Sequence, residues 1–228
     1  IFKSEAGAAQ DQGGKMVALR GLARRWLSSV VDLQAVGRTA LFANELRCQA
    51  AALGMFDDPY SPRLSTESTR NATVEMAKTL PFMTLWLGAR TVYVDERVRM
   101  FLESGGQQVV LLGSGLDCRS LRFPAARFFE IDQPEVLAFK KARLELPSTC
   151  LDVEDYTALE SIPATLKSAG LDLEEPVLYC WEGNIPYLPS AKTKHIFNDI
   201  LLQHGNRTHV VFDAFSSKIA KEDACVDT

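Results

Sequence analysis

The run VVLLGSGLDCRSLR, Val109 to Arg122, constrains this chain more than any other segment. Its four leading apolar residues suit a strand buried on both faces, and Gly113-Ser114-Gly115 then turns the chain toward a helix. Small residues at such a turn let a ligand approach the backbone, and free N–H groups at the helix start suit an anion. A tight strand-to-helix turn with no ligand uses the same residues, so the surrounding sequence has to decide between the two.

That context is a repeated alternation. FFEID (128–132), VLYCW (177–181) and THVVFDAF (208–215) are short β-rich runs that lead into acidic or small residues. Polar or helical stretches, 133–146, 156–169 and 191–202, separate them. Strand alternating with helix predicts an α/β parallel sheet with crossover helices. The first part of the chain reads differently. Val17, Leu19, Leu22, Trp26, Val30 and Leu33, then Leu41, Phe42, Leu46 and Leu53, recur at spacings of three or four and predict helices. Gly54 and the run Asp57-Asp58-Pro59-Tyr60-Ser61-Pro62 stop that pattern with a turn. A further helix is expected over 84–103, ending at Gly105-Gly106.

Composition excludes several classes. A net charge of −4 argues against nucleic acid as a partner, and 46% apolar residues in 228 suffice for one sizeable core. The longest apolar stretch, 80–89, is interrupted by Pro81 and Thr84 and is too short to span a membrane. The opening residues, which start at Ile1, carry no secretory pattern, although the visible start need not be the true one. Cys48, Cys118, Cys150, Cys180 and Cys225 are odd in number and widely spaced, which suits reduced thiols in a cytoplasmic protein. His195, His204 and His209 form no metal-binding pattern, so no metal is expected.

Asp132 lies 17 positions after Gly115, where the second strand of a nucleotide-binding unit ends. An acid there can accept hydrogen bonds from both ribose hydroxyls of an adenosine. The competing reading is that Glu130 or Asp132 only caps the helix that begins at Pro134. A dinucleotide loop would carry a third glycine where this chain has Cys118, so a pyrophosphate is poorly accommodated. S-adenosyl-L-methionine (SAM), a nucleoside ligand without phosphates, tolerates such a loop.

Val36-Gly37-Arg38-Thr39-Ala40, Phe56-Asp57-Asp58-Pro59-Tyr60, Ala89-Arg90-Thr91, VVLLGSGLDCRSLRF, FFEIDQPEVLAFK and WEGNIPYLP occur in this order between 36 and 215. Together they resemble the leucine carboxyl methyltransferase-like family of SAM-dependent O-methyltransferases. The resemblance implies a Rossmann-like sheet over 107–228 and a helical N-terminal cap, the substrate region, over 1–106. It also implies SAM as cofactor. Gly113, Ser114 and Gly115 would lie under its methionine part, Asp132 at the ribose, and Asp152 with Val153 at the adenine. Arg90 resembles the family arginine that meets the cofactor carboxylate, and Glu182 the acid after the fourth strand, suited to the amino group or sulfonium. Arg47 falls where relatives carry a basic residue. Each also has a structural reading: Arg90 as a solvated helix residue, Asp152 as a cap, Glu182 as a turn acceptor, and Asp58 as a local turn former.

Two departures from the family pattern stand out. The 20 positions from Asp132 to Asp152 are fewer than usual, and no candidate for a closing antiparallel hairpin follows Phe215. Either the protein is shortened or segments are missing and the numbering is closed up; the sheet edge that the first would expose favours the second. The residues show no catalytic base. A carboxylate or other acidic oxygen is therefore the expected acceptor, on a small molecule or a protein C-terminus, with the C-terminal leucine of a protein phosphatase as one specific case. A SAM-binding protein without transferase activity and a nicotinamide dehydrogenase are the competing classes.

Overall fold

The computed structural model describes residues 38–79, 82–204 and 207–214. The helical pattern expected over 16–33, Cys225 and everything after Ala214 lie outside the described residues. The chain divides into two units between Ala89 and Arg90.

In the first unit, α1 (Arg38–Ala52) and α2 (Glu67–Thr79) flank a 3-10 turn at Ser61–Leu64. The Asp58 turn forms as expected. Its carboxylate accepts from the backbone N–H of Tyr60 (3.1 Å) and Ser61 (3.0 Å) and from the Ser61 hydroxyl (2.6 Å). The apolar pattern does not predict helix α2, because its sequence ESTRNATVEMAKT holds few large apolar residues. It starts on a reciprocal cap between Thr66 and Thr69, in which each hydroxyl accepts the other's backbone N–H. Thr69 and Thr73, four apart, are buried, and the Thr69 hydroxyl donates to Glu45 on α1 at 2.6 Å.

The second unit holds the sheet. Helix α3 (Phe82–Glu103), which belongs to this unit from Arg90 on, precedes β1 (Gln108–Leu112), with α4 (Arg119–Arg122) and β2 (Arg127–Asp132) next. Then come α5 (Pro134–Lys141), β3 (Thr149–Asp152), α6 (Ile162–Ser168), β4 (Val177–Trp181), α7 (Ser190–His204) and β5 (Thr208–Phe212). Among the described residues every strand pairing is parallel, in the order β3-β2-β1-β4-β5. The chain winds outward from β1 to β3, returns, and adds β4 on the other side of β1. Period-two alternation sorts the side chains into two layers. Val110, Leu112, Phe129, Ile131, Tyr179 and Trp181 pack with Ile162 and Leu166 of α6 and Ile196 and Ile200 of α7. Val109, Leu111, Phe128, Leu178 and Cys180 pack with Val94, Val98 and Phe101 of α3. Both faces are covered, which is why the central strands are uninterrupted apolar runs.

Helix α5 is shorter than the stretch expected over 133–146 because it ends at Lys141. Lys140 is fully buried against Glu130 of β2, and Glu130 also accepts from the hydroxyls of Ser120 and Ser148, each at 2.8 Å. Burial works against the charge on Lys140, but Glu130 outweighs it and holds the ammonium protonated. Cys48, Cys118, Cys150 and Cys180 form no disulfide among the described residues, and burial pushes the Cys48 thiol up to about 11. Among the described residues no group of His, Cys, Asp and Glu could hold a metal ion. Among them, too, no helix is long and apolar enough to cross a membrane.

Candidate functional site

Ligands of open α/β sheets bind outside the carboxyl ends of the strands, where the winding reverses. Here that point lies between β1 and β4, and the turns that follow these two strands are tied together. The Asn184 side-chain amide donates to the carbonyls of Leu112 (3.3 Å) and Gly113 (3.1 Å). Gly113 has φ of 63°, and a Cβ there would sit 2.4 Å from the Asn184 nitrogen, so this position demands glycine on two counts. Close ligand approach is not required to explain it. Ser114 donates its N–H to the Ile131 carbonyl at 3.0 Å, which anchors the turn to β2. Its hydroxyl oxygen is buried and has no hydrogen-bond partner among the described residues.

Asp132, at the end of β2, faces the same turn. Its Oδ2 accepts the Gly115 N–H at 2.5 Å and its Oδ1 accepts the Gln133 N–H at 2.7 Å. Burial raises its carboxyl above the ordinary value of 3.8, and the two N–H donors pull the other way. The helix-cap reading of this segment does not hold: the residue at the cap of α5 is Gln133, with no side-chain cap bond, and Glu130 is committed to Lys140. At the end of β3, Asp152 is exposed, with Lys141 at 3.3 Å, and caps nothing; Asp155 caps the 3-10 turn at Tyr156–Ala158 instead. The Val153 N–H donates to the Asp132 carbonyl at 2.9 Å, which fixes the spacing of the β2 and β3 ends.

Arg90 and Glu182 are brought together. Arg90 Nε lies 2.9 Å from Glu182 Oε1, and its Nη1 lies 2.8 Å from Asp213 Oδ2 just after β5. With a side chain only 12% exposed, Arg90 is not a solvated helix residue. Asp213 Oδ1 also accepts the Gly183 N–H at 2.6 Å, so the turns after β4 and β5 are joined. Glu182 Oε2 is 2.9 Å from Nη1 of Arg119, which is fully buried. Burial works against the Arg119 charge, but Asp117, Glu182 and Asp95 outweigh it and raise its pKa further.

Sequence reasoning misses several participants, among them Asp95, Asp117, Arg119, Arg122, Asn184 and Asp213. Asp213 carries a signal, an acid at the end of a β-rich run like Asp132 and Glu182. Arg119 sits within the glycine-turn motif, four positions after Gly115, but nothing in the sequence says that its side chain turns inward. Arg47, buried on α1, belongs to the first unit.

A parallel sheet wound in this order, with a glycine turn after β1 and acids at the ends of β2, β3 and β4, defines a Rossmann-like α/β protein, a class whose ligands bind at the strand ends. The leucine carboxyl methyltransferase family model matches residues 35–201. A protein of Mycolicibacterium paratuberculosis named "Putative S-adenosyl-L-methionine-dependent methyltransferase" is 30% identical over 214 residues, covering 83% of this chain and 69% of its own length. A protein of the same name from Mycobacterium bovis is 32% identical over 154 residues, 61% of this chain and 51% of its own length. The crystal structure of a DUF574 family protein from Streptomyces avermitilis superposes with a TM-score of 0.55 at 15% identity, covering 82% of this chain and 75% of that one, and shows the shared fold. The chain belongs to the leucine carboxyl methyltransferase family of SAM-dependent methyltransferases.

Proposed function

We propose that this chain transfers the methyl group of SAM to an acidic oxygen, a carboxylate on a small molecule or on a protein C-terminus. The observation that carries the reading is the meeting of the glycine turn, Asp132 and the Arg90–Glu182 pair at the strand ends where the winding reverses. The residues present fit the cofactor. The buried Ser114 hydroxyl lacks a partner among the described residues, a donor and acceptor that a polar ligand would satisfy. Asp132 uses one lone pair of each oxygen on the backbone, which leaves acceptor capacity for two ribose hydroxyls. Asp152 and Val153 would border the adenine, and Arg90 and Glu182 would receive the carboxylate and the amino group.

SAM, when bound, supplies an electrophilic methyl group on a sulfonium. The chain's own residues have to orient that group, bring the acceptor oxygen into line and exclude water. A carboxylate acceptor is already ionised at neutral pH and needs no proton removed. His195 is exposed on α7, and His209 lies near the start of β5, the opposite end from the site. The N-terminal region, 1–106, would select the acceptor.

The test is incubation with methyl-labelled SAM and two acceptor sets, small carboxylic acids and peptides ending in leucine. Carboxyl methyl esters release labelled methanol in alkali, whereas ethers and methylamines do not. Alkali-released label with either set supports the reading and says which acceptor class is used. Label that survives alkali would overturn the carboxylate assignment, and SAM binding without transfer to any acceptor would favour a binding protein.

A further inference from the structure

We infer that Arg119 is a positioning residue that locks Glu182 in place so that Glu182 and Arg90 together form a preassembled receptor for the zwitterionic amino-acid end of the cofactor. The inference rests on the proposal that Arg90 and Glu182 receive that end. Arg119 is fully buried, and each of its three guanidinium nitrogens donates to the protein. Its Nε donates to Asp95 Oδ1 at 2.7 Å, its Nη1 to Asp117 and to Glu182 Oε2, and its Nη2 to the Thr91 carbonyl at 3.3 Å. Asp95 is itself held from behind by Arg122. The charges therefore alternate along one row: Arg122, Asp95, Arg119, Glu182, Arg90, Asp213.

The row has a fixed end and an exchangeable end. Asp95 and Arg119 have side chains 1% exposed, whereas Arg90 is at 12% and Asp213 at 18%. Glu182 sits between them, with Oε2 committed inward and Oε1 turned to Arg90. An α-amino-acid group carries one positive and one negative charge at the spacing of a single carbon. Inserted between Arg90 and Glu182, it replaces one protein ion pair by two protein–ligand pairs and adds no net charge to the site. For that exchange to succeed, Glu182 must keep its place when Arg90 lets go of Oε1. Arg119 supplies the restraint, because a planar guanidinium reaches three carboxylates at once, which an ammonium at the same place does with poorer geometry. Asp213 restrains Arg90 in the same way from the other side.

A merely structural Arg119 would tie α3, α4 and the β4 end together without regard to ligand. Two ligands separate these roles. S-adenosylhomocysteine carries both the nucleoside and the amino-acid end, and 5′-methylthioadenosine carries only the nucleoside end. Both are titrated calorimetrically into wild type, Arg119→Lys, Asp95→Asn and Glu182→Gln, each first checked for a cooperative thermal transition. Wild type should prefer S-adenosylhomocysteine, and Glu182→Gln should lose most of that preference. Arg119→Lys should weaken S-adenosylhomocysteine by about 10- to 100-fold while methylthioadenosine changes by less than about threefold. Asp95→Asn, which touches no ligand and leaves Glu182 intact, should move the ratio in the same direction and gives the answer if Arg119→Lys does not fold. An unchanged ratio in both variants, or equal loss of both ligands, overturns the positioning role. A preference that survives Glu182→Gln overturns instead the reading of Glu182 and Arg90 on which it rests.

Discussion

Replacing Asp132 by alanine separates what this carboxylate does for the protein from what it would do for a ligand. In the free protein its two oxygens accept one backbone N–H each, from Gly115 at 2.5 Å and Gln133 at 2.7 Å. A carboxylate has about four acceptor sites, so roughly two remain for the ribose hydroxyls. Hydrogen bonds to a charged group contribute about 1.5–3 kcal/mol each, less where water competes, and Asp132 is only partly buried. Losing both ribose bonds should therefore weaken S-adenosylhomocysteine by about 2–3 kcal/mol, a factor of roughly 30 to 150 in Kd. Folding stability should change far less, because the loss of two turn bonds is offset by removal of a charge that burial already disfavours. Asp132→Asn, which keeps one acceptor oxygen, should fall between. Isothermal titration with the product, alongside thermal unfolding, reads both quantities. A Kd unchanged within about threefold in the alanine variant would refute the ribose assignment, since less than about 1 kcal/mol cannot hold two such bonds.

Other consequences follow from the same geometry. Because the folded-state carboxyl of Asp132 lies above 3.8, ionising it costs stability. Wild type should lose stability relative to Asp132→Asn as pH rises from 3.8 through the folded-state value, and product affinity should fall as pH drops through the same window; calorimetry at stepped pH checks both, and a transition below 3.8 would contradict the sign. Lys140→Met strands Glu130 in the core and should cost about 3–5 kcal/mol in urea unfolding, a loss under about 1 kcal/mol showing that the pair is not isolated from water. Gly113→Ala should cost about 1–3 kcal/mol for its left-handed backbone, with a further loss from displacing Asn184, and should weaken product binding; a neutral effect on stability would mean that the turn can rearrange. Asp58→Ala removes three hydrogen bonds from one turn and should lower stability by about 1–2 kcal/mol without changing product affinity, which unfolding and titration together would show.

What can be read from the sequence is whatever depends on short range and period. Strands β1, β2, β4 and β5 are legible as short β-rich runs, fully buried in β1 and β4 because both faces of the sheet are covered there, and their ends are marked by Gly113, Asp132, Glu182 and Asp213. Helix α3 is legible from its apolar spacing and the glycines beyond it, and the Asp58 turn from Asp-Pro chemistry. Helix α2 is not, since it holds few large apolar residues and its contact with α1 includes the Thr69 hydroxyl donating to Glu45. The charge row is half legible. Arg90 and Glu182 stand out through family resemblance, but their direct pairing is a contact across 92 positions that no local pattern encodes. Arg119 and Asp95 are hidden for the opposite reason: charged residues are expected outside, and these are inside because each meets its counter-charge there. Gly113 reads as special from the sequence alone, though the reason, Asn184 packed against it, is tertiary.

The most direct test of the central claim is a titration of the purified chain with S-adenosylhomocysteine, using NADH as the comparison. One-site binding of the methyltransferase product, without measurable binding of NADH, is the predicted result. A folded sample that binds neither, or that binds NADH in preference, would contradict the assignment of this strand-end site to SAM.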